Sequence, residues 1–249
     1  MRPIITLLTD FGTADGYVCE VKGVLMSSIP DVELVDITHD IPPQDVERAR
    51  LTVARVWRRF PAGAIHLVVV DPGVGSARAA LAVASDGRFL VGADNGVLSP
   101  ALLAPGARAV VLNVPPGVSA TFHGRDVFAP AAAALARGEA IDGLGAEARS
   151  PVVRRTPEPT RRADGALVGE VIAIDHFGNA VTNLIGLRGG MLEVGSAMVT
   201  LRRTYAEAKI GDPVAVVGST GFIEIAIRNG DAARALQLSR GARVVLHTA

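Results

Sequence analysis

The sequence predicts an α/β domain with a largely parallel sheet, followed by a smaller all-β, barrel-like domain. Three observations carry that expectation. In the first part of the chain short apolar runs alternate with amphipathic stretches, the pattern of strand and crossover helix. A Pro- and Arg-rich segment without periodicity, "RSPVVRRTPEPTRRADG", then breaks the alternation. After it come short apolar runs at close spacing, separated by glycine turns, as in small barrels and sandwiches.

Taken in order, "IITLLT" (4–9), "VELVDI" (32–37), "IHLVVV" (65–70), "ALAVAS" (80–85) and "AVVLNV" (109–114) read as strands. Several lack polar alternation and so belong inside a sheet covered on both faces. Helical spacing runs over 14–29, 44–59 and 124–137; in the second, Val46, Leu51, Ala54 and Trp57 fall on one side. The expected boundaries are an α/β domain over 1–150, a linker over 151–165 and a β-barrel domain over 166–249. Within the last, "LVGEVIAID", "MVTLRR", "PVAVVGS", "FIEIAI" and "ARVVLHT" read as strands.

Composition narrows the function. The chain has 249 residues, 49% hydrophobic, and a formal net charge of +0. That is enough apolar material for a full core. It offers no basic footprint for nucleic acid or an anionic membrane, so the expected partner is a small molecule. No apolar run is long enough to span a bilayer and no basic leader precedes "IITLLT", which reads as a cytoplasmic protein. The single cysteine, Cys19, cannot form an internal disulfide, and within the helical stretch "GYVCEVKGVL" it is expected to be a buried structural thiol. The five histidines, His39, His66, His123, His176 and His247, show no metal-ligand pairing. Neither a metal nor a cofactor is expected.

In a doubly wound sheet, ligands collect outside the carboxyl ends of the strands. The segment "VVVDPGVGSAR" places Asp71 at such an end and Arg78 at the far side of a glycine-rich turn. It lacks the Gly-Lys-Ser/Thr of a phosphate loop and the third glycine of a dinucleotide fingerprint. A carboxylate there also repels a pyrophosphate. Further strand ends supply Asp10, with Asp15 after it, and Asp36, Thr38 and His39. In "TFHGRDVFAP", His123 precedes a helix. Each has a plain structural use: Asp10 or Asp15 as a helix cap, Asp71 and Arg78 as an ion pair pinning the turn, His123 as a cap.

The motifs "TDFGTADGYV", "DITHDIPPQDV", "VVVDPGVGSAR", "GADNGVLS", "FHGRDVFAP", "IDHFGNAVTN" and "GSTGFIEIAIRNGDAA" occur in order from residue 9 to 233. In them the sequence resembles the S-adenosylmethionine (SAM) hydrolases that form adenosine, also called SAM hydroxide adenosyltransferases, relatives of the fluorinase and chlorinase. The resemblance implies a Rossmann-like N-terminal domain, a C-terminal β-barrel, and a homotrimer with active sites between the N-terminal domain of one subunit and the C-terminal domain of its neighbour. It implies SAM as substrate and adenosine and L-methionine as products. Asp71, Arg78 and His123 match the residues around the attacking water. Asp10 matches the acceptor of both ribose hydroxyls, as a carboxylate with two acceptor oxygens can be. Asp175, with Ser219, matches a contact to the methionine ammonium, and Asn179 the reader of the adenine edge. Phe177 and Tyr205 match aromatic faces for adenine, and Arg228 to Gly230 the loop that closes over it.

Halogenation in the same fold is the nearest alternative reaction. By the same resemblance, halogenases carry an aromatic where Asp71 stands, a Trp where Gln44 stands, and a longer insertion after the Arg78 loop. A fixed carboxylate repels a halide and helps a water. The alternative of another class is a protein that holds SAM or adenosine without turnover; a methyltransferase fits the motifs less well.

Overall fold

The computed structural model describes residues 2–186 and 189–247; Thr248, the last residue of the final predicted strand, lies outside them. The chain divides into two compact units, Met1–Arg155 and Thr156–Ala249.

The first unit is built on a seven-stranded sheet of β1 (Ile4–Thr9), β2 (Glu33–Thr38), β3 (Ile65–Val69), β4 (Ala80–Ser85), β5 (Arg88–Ala93), β6 (Arg108–Leu112) and β7 (Gly145–Glu147), in the order β2-β1-β3-β5-β4-β6-β7. Strands β2, β1, β3 and β5 run parallel, while β4, β6 and β7 extend the sheet antiparallel to their neighbours. The period-two pattern splits each central strand between two cores. Ile65, Leu67 and Val69 of β3 join one core with α1 (Tyr17–Ser28) and α4 (Ala129–Ala136), and Val68 and Val70 join another with α2 (Val46–Val56) and α3 (Ser99–Leu102). Helices therefore cover both faces, which is why β3 carries no polar alternation.

Strand β5 departs from the expected list. It is the second arm of a hairpin with β4, closed by Asp86 and Gly87, both at positive φ. Asp-Gly is the two-residue hairpin signal. The hairpin inserts β5 between β3 and β4, a placement that later matters for the site. Cys19 also departs from expectation: it is exposed. Helix α1 buries Val18, Val21 and Leu25, and a residue one position after Val18 lies about 100° around the helix from that stripe.

His66 is the one histidine set deep in the sheet, 1% exposed, with Nδ1 2.8 Å from the Thr6 hydroxyl on the neighbouring strand. Burial, with Arg88 adding, outweighs the Trp57 backbone and lowers its pKa from 6.5 to about 4. The unfolded chain then binds a proton below pH 6.5 that the native state refuses. Stability should be full above pH 6.5 and fall by up to about 3 kcal/mol as pH drops towards 4. Urea unfolding at pH 7.5 and 4.5 checks this: His66→Gln should show a smaller loss than the unchanged protein, and an equal loss would refute it.

The second unit is a barrel. Strands β9 (Leu167–Ile174), β10 (Ala180–Ile185), β11 (Met191–Val194), β12 (Ala197–Arg202), β13 (Pro213–Val217), β14 (Phe222–Ile227) and β15 (Arg243–His247) follow the order β10-β14-β13-β12-β11-β15-β9, and β9 pairs back to β10. The short β8 (Thr160–Arg161) lies against the start of β9. Val171, Leu184, Leu192, Val199, Ile223, Ile225 and Leu246 fill the interior, joined by Ala232 of α5 (Ala232–Ala235). The residues expected as a linker are partly tied down: Val152 and Arg154 bond to the first unit, and β8 belongs to the second.

Candidate active site

Two residues after the end of β3 the chain reaches Asp71, then arches through a turn to Arg78 and into β4. The turn is pressed against the loop before α4: a Cβ on Gly75, at φ +76°, would sit 2.5 Å from the Ala120 carbonyl oxygen. The same loop delivers His123, and Gly124 allows the close approach, since a Cβ there would meet Val69 at 2.9 Å. After His123 the helix opens with a π-turn over Gly124–Phe128, a feature frequent at functional sites.

Sequence-distant residues thereby meet. Arg78 Nε donates to Asp71 Oδ1 at 2.9 Å, and Arg78 Nη2 donates to Asp71 Oδ2. The two side chains are 10% and 6% exposed, so this is a nearly dry, two-pronged ion pair. The guanidinium also lies over the Phe128 ring at 5.2 Å. Its Nη2 stands 3.0 Å from His123 Nδ1. A guanidinium only donates, so Nδ1 is the acceptor and the neutral ring carries its proton on Nε2. Burial first, and then the Arg78 charge, lower the His123 pKa against the opposing pull of Asp71 and Asp126. With Nδ1 facing Arg78, the neutral ring can donate only through Nε2.

Asp71 and His123 line a cavity of about 260 Å³ together with Asp10, Phe11, Gln44 and Phe122. Asp10 does not cap the helix: Gly16 precedes α1 with no side-chain cap. Instead Asp10 Oδ2 accepts from the Gln44 N–H at 2.7 Å. Gln44 stands at φ +66°, a strained conformation for a residue other than glycine. Asp36 and His39 form a network beside this cavity, with Lys22 Nζ 2.6 Å from Asp36, His39 Nε2 3.1 Å from Asp36 and His39 Nδ1 2.9 Å from the Thr9 hydroxyl. Sequence reasoning passed over Phe11 and Phe122, an edge-to-face pair 5.7 Å apart; their place inside two motifs was the available signal.

In the barrel unit, Asp175, Phe177 and Asn179 share the β9–β10 turn. Asp175 Oδ1 accepts from the Phe177 and Asn179 N–H groups at 2.8 Å each, and Asp175 Oδ2 accepts from Asn179 Nδ2 at 2.9 Å. The turn is a self-contained unit that leaves Phe177 74% exposed. The segment after β14 lies against it, because Ala233 N donates to the Gly178 carbonyl, which brings Arg228 and Gly230 into the neighbourhood. Arg228 Nη1 in turn holds the carbonyls of Ala206 and Ala208, at 3.1 and 2.7 Å, next to Tyr205. The Tyr205 hydroxyl donates to the buried Glu224 at 2.6 Å, and its ring is 39% exposed. Ser219 is placed apart from this group. It lies on the β13–β14 turn, whereas the Asp175–Asn179 turn flanks the other end of β14.

No three His, Cys, Asp or Glu side chains able to hold a metal come together among the described residues, and no helix among them is long and apolar enough to cross a membrane.

Comparison with known proteins places the chain. Residues 5–145 match the SAM hydroxide adenosyltransferase N-terminal domain and residues 169–245 the C-terminal domain. The (R)-S-adenosyl-L-methionine hydrolase of Thermus thermophilus is 46% identical over 99% of this chain and 100% of its own length. A fluorinase of Actinopolyspora mzabensis is 29% identical over 98% and 96%. The crystal structure of an uncharacterized conserved protein from Thermotoga maritima superposes with a TM-score of 0.88 at 30% identity, covering 98% of this chain and 99% of that one.

Proposed function

The chain belongs to the SAM hydroxide adenosyltransferase family, and from that premise we propose that it is a hydrolase converting (R)-S-adenosyl-L-methionine and water to adenosine and L-methionine. The observation that carries the reading is that Asp71 and His123, joined through Arg78, line the cavity that Asp10 also lines. The hydrolase relative is the more similar of the two reactions' bearers, and a carboxylate at position 71 favours water over halide.

The reaction is a displacement at ribose C5′. The water oxygen forms a bond to C5′ as the C5′–S bond breaks, and sulfur keeps the bonding pair, leaving as the neutral thioether of methionine. The leaving group needs no acid. His123, a donor through Nε2, orients the water by hydrogen bonding to its oxygen. Arg78 stabilises negative charge developing there, in a site dry enough for the charge to act strongly. The entering oxygen becomes acidic once bonded to carbon, and Asp71 is the carboxylate within reach of its proton. The net yield is adenosine, methionine and one proton.

Asp10 holds the ribose hydroxyls with its free Oδ1. The barrel supplies the remaining contacts: Asp175 to the methionine ammonium, Asn179 to the adenine edge, Phe177 and Tyr205 as faces, Arg228 to Gly230 as the covering loop. The assembly in this reading is a homotrimer in which each cavity is completed by the barrel of a neighbouring copy, in the cytoplasm and with neither metal nor cofactor. Two features support it. The cavity is smaller than the range of about 300–1,000 Å³ usual for whole ligands, and Phe177 stands exposed on the barrel.

Long incubation of chelator-treated protein with each sulfonium epimer in ¹⁸O-labelled water tests the proposal. Adenosine labelled at its 5′ oxygen, with free methionine, is expected from the (R) epimer. Recovery of intact ligand bound to the protein would favour the non-catalytic binder.

A further inference from the structure

The turn that carries Asp71 and Arg78 spans from the end of β3 to the start of β4, and the strand between them is β5. The turn therefore arches over the carboxyl end of β5, and the two residues that follow that strand, Asp94 and Asn95, lie beneath it. They hold both feet of the arch. Asn95 Nδ2 donates to the carbonyl of Val70, the residue before Asp71, at 2.9 Å. The Asp94 N–H donates to the carbonyl of Ala79, the residue after Arg78, at 2.9 Å.

The amide that grips Val70 is itself fixed. Its Oδ1 accepts from the Val97 N–H at 3.1 Å, which sets which end of the amide faces the arch. From behind, the Asn95 carbonyl accepts from Arg154 Nε at 2.8 Å and Asp94 Oδ1 accepts from the Val152 N–H at 2.7 Å. Within the arch, Ser76 Oγ donates to Gly73 O at 2.6 Å, so the turn is locally braced as well. What those local bonds leave open is the spacing of the two feet, and the feet decide how Asp71 and Arg78 meet.

We propose that Asn95 is a positioning residue for the Asp71–Arg78 pair, acting through the Val70 carbonyl. The inference rests on the hydrolase reading for its kinetic consequence, though not for its geometry. A reacting group misplaced by about 1 Å can lose 10²-fold in rate, and a foot released at Val70 moves Asp71 directly, being one residue away.

Two variants separate the link from general packing. Asn95→Asp keeps the shape and the acceptor for Val97 but sets an oxygen against the Val70 carbonyl; Asn95→Ala removes the side chain. In each, kcat for (R)-S-adenosyl-L-methionine is expected to fall at least about tenfold with KM and adenosine Kd within about twofold. The second readout is the NMR titration midpoint of His123, which feels both members of the pair and should move from its wild-type value as Asp71 and Arg78 shift against the ring. A folded variant with unchanged kcat and an unchanged His123 midpoint, whatever its Tm, would overturn the proposal. Should the wild-type protein hydrolyse no sulfonium, the hydrolase reading falls by itself, and the His123 midpoint alone then decides the role of Asn95.

Discussion

Asp71→Asn should lower kcat by about 10²- to 10⁴-fold while leaving adenosine affinity within a few fold. The choice of Asn follows from the burial of the pair. Asp71 and Arg78 are 6% and 10% exposed, so Asp71→Ala would strand a guanidinium with almost no water and cost about 3–5 kcal/mol of stability. A rate lost that way mixes chemistry with unfolding. Asparagine keeps the shape and one acceptor for Arg78; it removes the charge and the proton-accepting oxygen and turns an NH2 group towards the second Arg78 donor, which leaves the guanidinium less stranded than an empty site would. Single-turnover kinetics beside urea melts make the check. A second readout has a definite sign: the Asp71 charge raises the His123 pKa, so its removal should carry the His123 midpoint further below 6.5. Wild-type kcat in a folded Asp71→Asn would return the pair to a structural pin of the turn.

Why Asp71, Arg78 and His123 were legible, and other parts were not, has physical reasons. Asp71 stands at the carboxyl end of a sheet strand, where ligands collect, and the motif resemblance supplied the partner 45 positions beyond Arg78. Strands β10 and β11 were passed over. In β10, Thr182 and Asn183 interrupt the apolar run, yet both are buried and satisfied, Thr182 Oγ1 by the Ile223 carbonyl and Asn183 by Glu170 N–H and the Pro157 carbonyl. Bonds that excuse a buried polar residue come from chain far away, so local composition cannot announce them. The same holds for Gln44. Nothing in "IPPQDV" marks its positive φ; the acceptor that rewards the conformation is Asp10, 34 positions earlier. Asp175 and Asn179 show the converse case: "DHFGN" is recognisable as a turn, and the turn forms, so its geometry is equally at home with a ligand or without one.

Asp10→Ala is expected to weaken adenosine and sulfonium binding by about 10²- to 10³-fold, as loss of one or two hydrogen bonds to a charged acceptor implies. Part of that loss runs through Gln44. Without the carboxylate its N–H has no acceptor there, and a conformation that costs about 1–3 kcal/mol has nothing to hold it, so the cavity wall relaxes. Asp10→Asn separates the two effects. Its amide oxygen can take the Gln44 N–H and keep the wall, which leaves an NH2 group where Oδ1 met the ribose. Calorimetry with adenosine and 2′-deoxyadenosine completes a cycle: the unchanged protein should lose affinity on removal of the 2′ hydroxyl, and Asp10→Asn should lose markedly less. Equal discrimination by both would mean that Asp10 serves the Gln44 turn alone, and that the ribose is recognised by another group. A collapse of affinity in Asp10→Ala with normal discrimination in Asp10→Asn would point the same way, since only the carboxylate's second oxygen differs between clamp and receptor.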